Sequence, residues 1–301
     1  MMNKNILITG GTGFIGQKLC RVLSGEGYSV TVLSRRPDSV KKLCGQSVSA
    51  LSSLDDLGED VQLEAIINLA GAPVAEGRWS ETRKELLIKS RTETTRQIAE
   101  YAKRAENKPR RLISGSAVGY YGDGGDTILD EDSPFNDEFT HRLCQEWESE
   151  ACRVLEYNVK LTILRIGLVV GSNGGFLQKM LLPFKMGLGG RLGNGSQWMP
   201  WIHMDDIIGL ILFILKDEDM EGVFNSTAPN PVTNEEFTRT LARVLRRPTL
   251  MPLPAFFLKL AFGEMSRLLL TGQRAVPTTA LNKGYRFRFP HLEDALRDVL
   301  A

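Results

Sequence analysis

Along the first 170 residues, short apolar runs alternate with longer stretches of helical spacing. Residues 4–9 form an apolar run that ends in glycines and predict a buried strand. Residues 14–25 follow with helical spacing through Leu19, Val22 and Leu23. Residues 28–34, 65–70, 111–116 and 161–170 predict further strands, and 80–105 a long polar helix with Ser80 as N-cap. In 138–157, Phe139, Leu143, Trp147, Ala151 and Leu155 recur at i,i+4, which predicts a helix with one buried face. Strands alternating with helices imply right-handed crossovers. The fold class is α/β, with a Rossmann-type doubly wound parallel sheet.

After residue 171 the pattern changes. Seven glycines punctuate 174–195, helices are expected near 205–216, 234–246 and 254–270, and Tyr285, Phe287 and Phe289 alternate with arginines as one buried strand face before a last helix from about 291. This divides the chain into a nucleotide-binding domain over 1–170 and a smaller substrate-side lobe over 171–301, from which the chain has the option of returning to the sheet.

Composition adds exclusions. The 301 residues carry 37 Lys+Arg against 36 Asp+Glu, a balance that gives no bulk-charge support for nucleic-acid or acidic-membrane binding. Four cysteines form no CxxC pair and three histidines do not cluster, so no zinc site is expected. With no leader-like segment and no apolar run of membrane-spanning length, the expectation is a cytoplasmic protein with free thiols. Its expected partner is a small-molecule substrate, with a homodimer left open.

The strongest chemical signal is Thr9-Gly10-Gly11-Thr12-Gly13-Phe14-Ile15-Gly16, placed after a strand and opening a helix. Gly10 permits the tight turn, Gly13 the approach of a pyrophosphate and Gly16 close helix–strand packing. The helix start then presents free N–H groups and a positive dipole end to phosphates. The second strand ends in Ser34-Arg35-Arg36, where an NAD site would carry an acid for the ribose 2′-hydroxyl. A hydroxyl and two guanidiniums suit a 2′-phosphate instead, so NADP(H) is the expected cofactor.

Together with that fingerprint, Asn68-Leu69-Ala70-Gly71, Ser114-Gly115-Ser116 before Tyr121-Gly122, and Trp201-Ile202-His203-Met204-Asp205-Asp206 resemble the extended short-chain dehydrogenase/reductases. Arg78-Trp79, Ser90-Arg91, Leu143-Cys144 with Trp147-Glu148, Leu182-Pro183-Phe184 and Gly272-Gln273-Arg274 are similar to its atypical "epimerase family" branch, which has a C-terminal extension. The resemblance, which runs from residue 4 to about 298, implies that Leu69, Ala70 and Gly71 edge the dinucleotide crevice. It also implies that Arg91 contacts the cofactor.

One departure bears on the chemistry. Working members of the wider family carry a Tyr and, four residues on, a Lys on one helix face; aligned on Glu148, these positions hold Thr140 and Cys144. A threonine hydroxyl and a neutral thiol cannot run that relay. The candidates to replace it are Ser116 (with Ser114 behind it), Tyr121 beside Tyr120, and His203, with His141 and Cys144 as weaker choices. His203 also has a structural reading at a helix start. Trp79, Trp198 and Trp201 with Pro183 and Pro200 suggest an apolar pocket wall, and Arg78 and Arg191 would suit an anionic substrate. Two functions stay open: an NADP(H)-dependent oxidoreductase or epimerase-like enzyme on a small carbonyl, hydroxyl or nucleotide-sugar substrate, and a noncatalytic NADP(H)-binding redox sensor or scaffold.

Overall fold

Seven parallel strands form the central sheet of the computed structural model, which describes residues 4–172, 174–249 and 252–301. They are β1 (Asn5–Thr9), β2 (Ser29–Leu33), β3 (Ser49–Leu51), β4 (Ala65–Asn68), β5 (Arg111–Ala117), β6 (Lys160–Ile166) and, after a short separate pair of strands, β9 (Gly222–Ser226). Their spatial order is β9-β6-β5-β4-β1-β2-β3. The chain reverses direction of travel between β1 and β4, which opens a crevice beyond their C-terminal ends.

The near-continuous apolar strands reflect burial on both faces. Ile6 and Ile8 of β1 pack with Leu19 and Leu23 of α1 (Phe14–Gly25) on one side. Leu7 packs with Ile98 and Ala102 of α2 (Glu81–Arg104) on the other. The expected N-cap of α2 is present, with the Ser80 hydroxyl accepting from the Arg83 N–H at 3.2 Å. Helix α3 (Phe139–Cys152) buries Phe139, Leu143, Trp147 and Ala151, but Leu155 is exposed. The last turn passes into a 3-10 helix over Arg153–Tyr157, and the tighter winding takes Leu155 off the stripe.

Three other expectations need correction. The run 161–170 is two strands, β6 and β7 (Leu168–Val170), because the Leu168 N–H turns to the Pro200 carbonyl at 2.7 Å, an approach that only a glycine at 167 admits, since a Cβ there would lie 2.1 Å from that oxygen. β7 pairs instead with β8 (Trp201–His203). The expected helix 254–270 breaks after α7 (Ala255–Phe262), where Gly263 takes φ +57°. Tyr285–Phe289 keeps its alternating burial but joins no ladder, since the Arg288 and Phe289 N–H groups donate to the Asp206 carboxylate at 2.7 and 3.0 Å.

The C-terminal half contributes α4 (Gly175–Lys185), α5 (Met204–Lys216), α6 (Asn234–Leu245) and α8 (Leu292–Leu300). Helix α5 packs its apolar face on the central sheet, while α4, α6 and α8 close a second core around Trp201, Phe237 and Leu241. Among the described residues no helix is long and apolar enough to cross a membrane.

Candidate functional site

The crevice is built by the loops that leave β1, β2 and β4. Gly10 takes φ +71°, and a Cβ there would lie 2.4 Å from the Leu69 carbonyl oxygen. Only glycine lets the β1 and β4 loops touch at this point. Gly16 packs on the same turn, where a Cβ would fall 2.4 Å from the Gly10 carbonyl oxygen. Gly13 is the N-cap of α1 with no side-chain cap, and the first turn carries no acid. The helix therefore opens on unpaired N–H groups behind Thr12, Phe14 and Ile15, an anion-binding terminus.

At the end of β2, the Ser34 hydroxyl accepts from the Arg36 N–H at 3.1 Å, which sets the turn. Arg35 and Arg36 are exposed and make no ion pair with any described residue. Two free guanidiniums thus stand where an NAD site would place a carboxylate.

Asn68 anchors the opposite lip. It accepts from the Thr9 hydroxyl at 2.6 Å and donates to the Thr95 hydroxyl at 2.8 Å, a buried chain that pins β4 to β1 and α2. Leu69, Ala70 and Gly71 follow. A Cβ on Gly71 would fall 2.9 Å from the Arg91 guanidinium carbon. Arg91 is 7% exposed, and its guanidinium lies 5.1 Å from the Trp147 ring centre. It donates to the Leu87 and Ala72 carbonyls at 2.9 and 3.0 Å, while its Nε has no partner. No carboxylate faces it among the described residues, and burial pulls its pKa down to about 10. A buried cation lacking a counterion is costly unless a ligand supplies the charge.

Helix α3 covers the far end of the crevice. Cys144, at the lysine position of the relay, is buried against Trp79, Phe139, Leu143 and Met265, with its thiol pushed up to about 11 by burial. Thr140 packs on Gly119. The relay's lysine position is therefore part of an apolar cluster.

Ser116 and Tyr121 meet in one buried network, but both hydroxyls are engaged. The Ser116 hydroxyl donates to Glu148 Oε1 at 2.5 Å, and Glu148 takes a two-pronged pair from Arg165 at 3.0 Å on each oxygen. Arg165 Nη1 donates to the Tyr121 hydroxyl at 3.0 Å, and that hydroxyl donates to Asn225 Oδ1 at 2.7 Å. Burial pushes the Tyr121 phenol up to about 12. Burial opposes the charge on Arg165, but Glu148 more than offsets it and holds the guanidinium above its usual range. Tyr120 differs: it is half-buried, its ring centre lies 3.4 Å from the Arg165 guanidinium, and its hydroxyl bonds no described residue. Chemistry-bearing residues on this strand end were visible in the sequence, but the exposure that separates Tyr120 from Tyr121 was not.

His203 stands apart from that network. Its Nδ1 accepts the Asp205 N–H at 3.1 Å, making it the N-cap of α5, and its Nε2 lies 3.3 Å from Asp298 Oδ2. Burial holds its pKa below the usual value, against the pull of the neighbouring carboxylates. His203, Asp205 and Asp298 cluster as metal ligands would. However, with Nδ1 accepting, the neutral ring carries its proton on Nε2, which leaves no lone pair for a cation.

The remaining expectations are dispersed. His141 is buried, with Nδ1 2.6 Å from the Tyr120 carbonyl oxygen. Trp79, Trp198 and Trp201 do not share a wall: Trp79 lies in the cluster with Cys144, Trp201 in the second core, and Trp198 Nε1 donates to Asp126. Arg78 is spent on the Leu260 and Ala261 carbonyls and Arg191 on Glu235, so neither waits for an anion.

Comparison with known proteins places these features. The profile of the NAD dependent epimerase/dehydratase family matches residues 6–225, and a domain of unknown function, DUF1731, matches 253–299. An epimerase family protein of Bacillus subtilis is 38% identical over 99% of this chain and 98% of its own length. The crystal structure of human epimerase family protein SDR39U1 with NADPH is similar at 35% identity and a TM-score of 0.90, covering 98% of each chain. A UDP-galactose 4-epimerase structure, at 20% identity and a TM-score of 0.76 over 98% of this chain and 97% of that one, shares the fold.

Proposed function

The chain belongs to the NAD dependent epimerase/dehydratase family, and from that premise we propose that it binds NADP(H) and acts as an oxidoreductase or epimerase-like enzyme on a small carbonyl or hydroxyl substrate. The observation that carries the reading is Arg91, a buried guanidinium without a counterion at the lip of the crevice. The Arg91 guanidinium lies 5.1 Å from the ring centre of Trp147 on α3. It thus brings a fixed cation, from α2, toward the place where the relay's lysine would project from α3. The glycine turn and the uncapped start of α1 fit a pyrophosphate, and Arg35 and Arg36 fit a 2′-phosphate. The human relative crystallised with NADPH supports the same choice.

When bound, NADP(H) supplies or accepts hydride; the protein's share is to position it and to move a proton. The Ser116 and Tyr121 hydroxyls are committed to structure, and His203 Nδ1 caps α5. Tyr120 is the better donor, with a free hydroxyl just beyond β5. The competing reading is a noncatalytic NADP(H) sensor, favoured by the apolar cluster of Cys144 and Met265 at the relay's lysine position.

One experiment separates them. Stereospecifically deuterated NADPH is incubated with the protein and a panel of carbonyl compounds and nucleotide sugars, and products are read by mass spectrometry. Deuterium transfer that Tyr120→Phe removes supports the enzyme. Tight binding without transfer favours the sensor. In calorimetry Arg91→Gln is expected to weaken NADPH binding about tenfold or more, as loss of charge-assisted hydrogen bonds would; unchanged affinity would rule out its role.

A further inference from the structure

A helix that is hydrophobic on every side normally lies inside a protein. Helix α7, Ala-Phe-Phe-Leu-Lys-Leu-Ala-Phe, does not. Only Leu258 is buried, while Phe256, Phe257 and Leu260 are 68, 56 and 63% exposed. The helix borders an apolar groove of roughly 330 Å³ lined by Leu253, Phe257, Leu258, Leu260, Ala261 and Phe262.

The apolar surface continues beyond the helix. Leu253 bridges to Leu192, and its N–H donates to the Arg191 carbonyl at 2.8 Å, which joins the groove to the segment after α4. Gly187 lies beside Pro248, where its Cβ would be 3.7 Å from the proline ring. On that segment Met186 and Leu188 are 63 and 54% exposed.

Charge distinguishes the candidate occupants. The whole chain is nearly neutral, yet residues 179–193 carry three lysines and arginines with no acid. Residues 243–270 carry five against one acid, Glu264, which is paired with Lys84. Lys185, Arg246, Arg247 and Lys259 are exposed and pair with no described acid. A two-fold dimer through this surface would bring two patches of like charge together. An apolar helix that carries one unpaired cation, Lys259, and whose flanking segments carry three more instead matches a negatively charged bilayer, with the aromatics at the headgroup boundary and the cations on lipid phosphates.

We propose that α7 and the 185–192 segment form a peripheral docking surface for anionic phospholipid membranes. This assignment is independent of the cofactor reading. It turns the sequence expectation of no membrane partner from a statement about total charge into one about its distribution.

The test is co-flotation of the full chain with vesicles of phosphatidylcholine alone or with 30% phosphatidylglycerol, in low and high salt. Binding is expected only with phosphatidylglycerol, weakening severalfold as salt screens the cations. Phe256→Ser with Phe257→Ser is expected to abolish it, and Arg246→Gln with Arg247→Gln to weaken it about tenfold or more. Circular dichroism melts establish that both double variants fold. No binding to phosphatidylglycerol vesicles overturns the proposal, as does equal binding to both compositions. A concentration-dependent dimer in sedimentation, lost in the phenylalanine variant and unaccompanied by vesicle binding, would assign the surface to a second copy instead.

Discussion

At the scale of single residues, the crevice is defined by groups left without partners. Arg35 and Arg36 meet no acid among the described residues, so their charge is available to a ligand. Arg35→Ala or Arg36→Ala is expected to weaken NADPH binding about tenfold or more while leaving NADH within about twofold, read by calorimetry. Equal losses for both cofactors would count against the 2′-phosphate role. His203 differs, a buried titratable group held in place by its Nδ1 at the start of α5. Its folded pKa lies below 6.5, so the unfolded chain binds its proton first as pH falls. The stability this contributes is complete above pH 6.5 and is lost as pH drops toward the depressed value. Lys18, Asp205, Asp206 and Asp298 all act on this ring. His203→Asn, which keeps an oxygen to cap Asp205, is expected to flatten the fall of Tm between about pH 6.5 and 5. An unchanged slope would show that another group governs it.

At the scale of elements, β5, β6 and α3 are tied through one ion pair. The side chains of Arg165 and Glu148 are 5 and 10% exposed, and Ser116 and Tyr121 hang from them. Glu148→Gln leaves the guanidinium buried without its charge partner and is expected to cost about 3–5 kcal/mol in urea unfolding. A loss below about 1 kcal/mol would mean that water or a shifted acid replaces it. This network marks the limit of what the sequence discloses. The glycine turn, the arginines of β2 and the N-cap of α2 are local, and each is legible in a few consecutive residues. The engagement of Ser116 with Glu148 is not, because the partners come from different elements and meet only when β5 packs on α3. Gly167 fails for the same reason, since the group that crowds it is the carbonyl of Pro200. Gly263, by contrast, sits inside the expected helix 254–270, and its capacity for positive φ was a readable sign of the break.

At the scale of the molecule, the C-terminal segment is held to the nucleotide-binding half over α3 by few contacts. Met265 enters the cluster of Trp79, Phe139 and Cys144, Arg78 holds the carbonyls at the end of α7, and two ion pairs, Lys84–Glu264 and Arg267–Glu138, flank it. Partly exposed pairs of this kind contribute about 0–1 kcal/mol each. The central sheet, with β1 and β4 buried on both faces, rests on a much larger core. Residues 255–270 should therefore open without global unfolding, as the low-stability part of the structure. Lys84→Ala with Arg267→Ala is expected to speed amide exchange across 255–270 severalfold while Tm falls by no more than about 4 °C. If exchange in the sheet and in this segment rises together, the two halves unfold as one unit. If only the segment responds, the same motion that lifts Met265 from Cys144 would also reposition the apolar face of α7, coupling access to the crevice with the surface proposed to meet lipid.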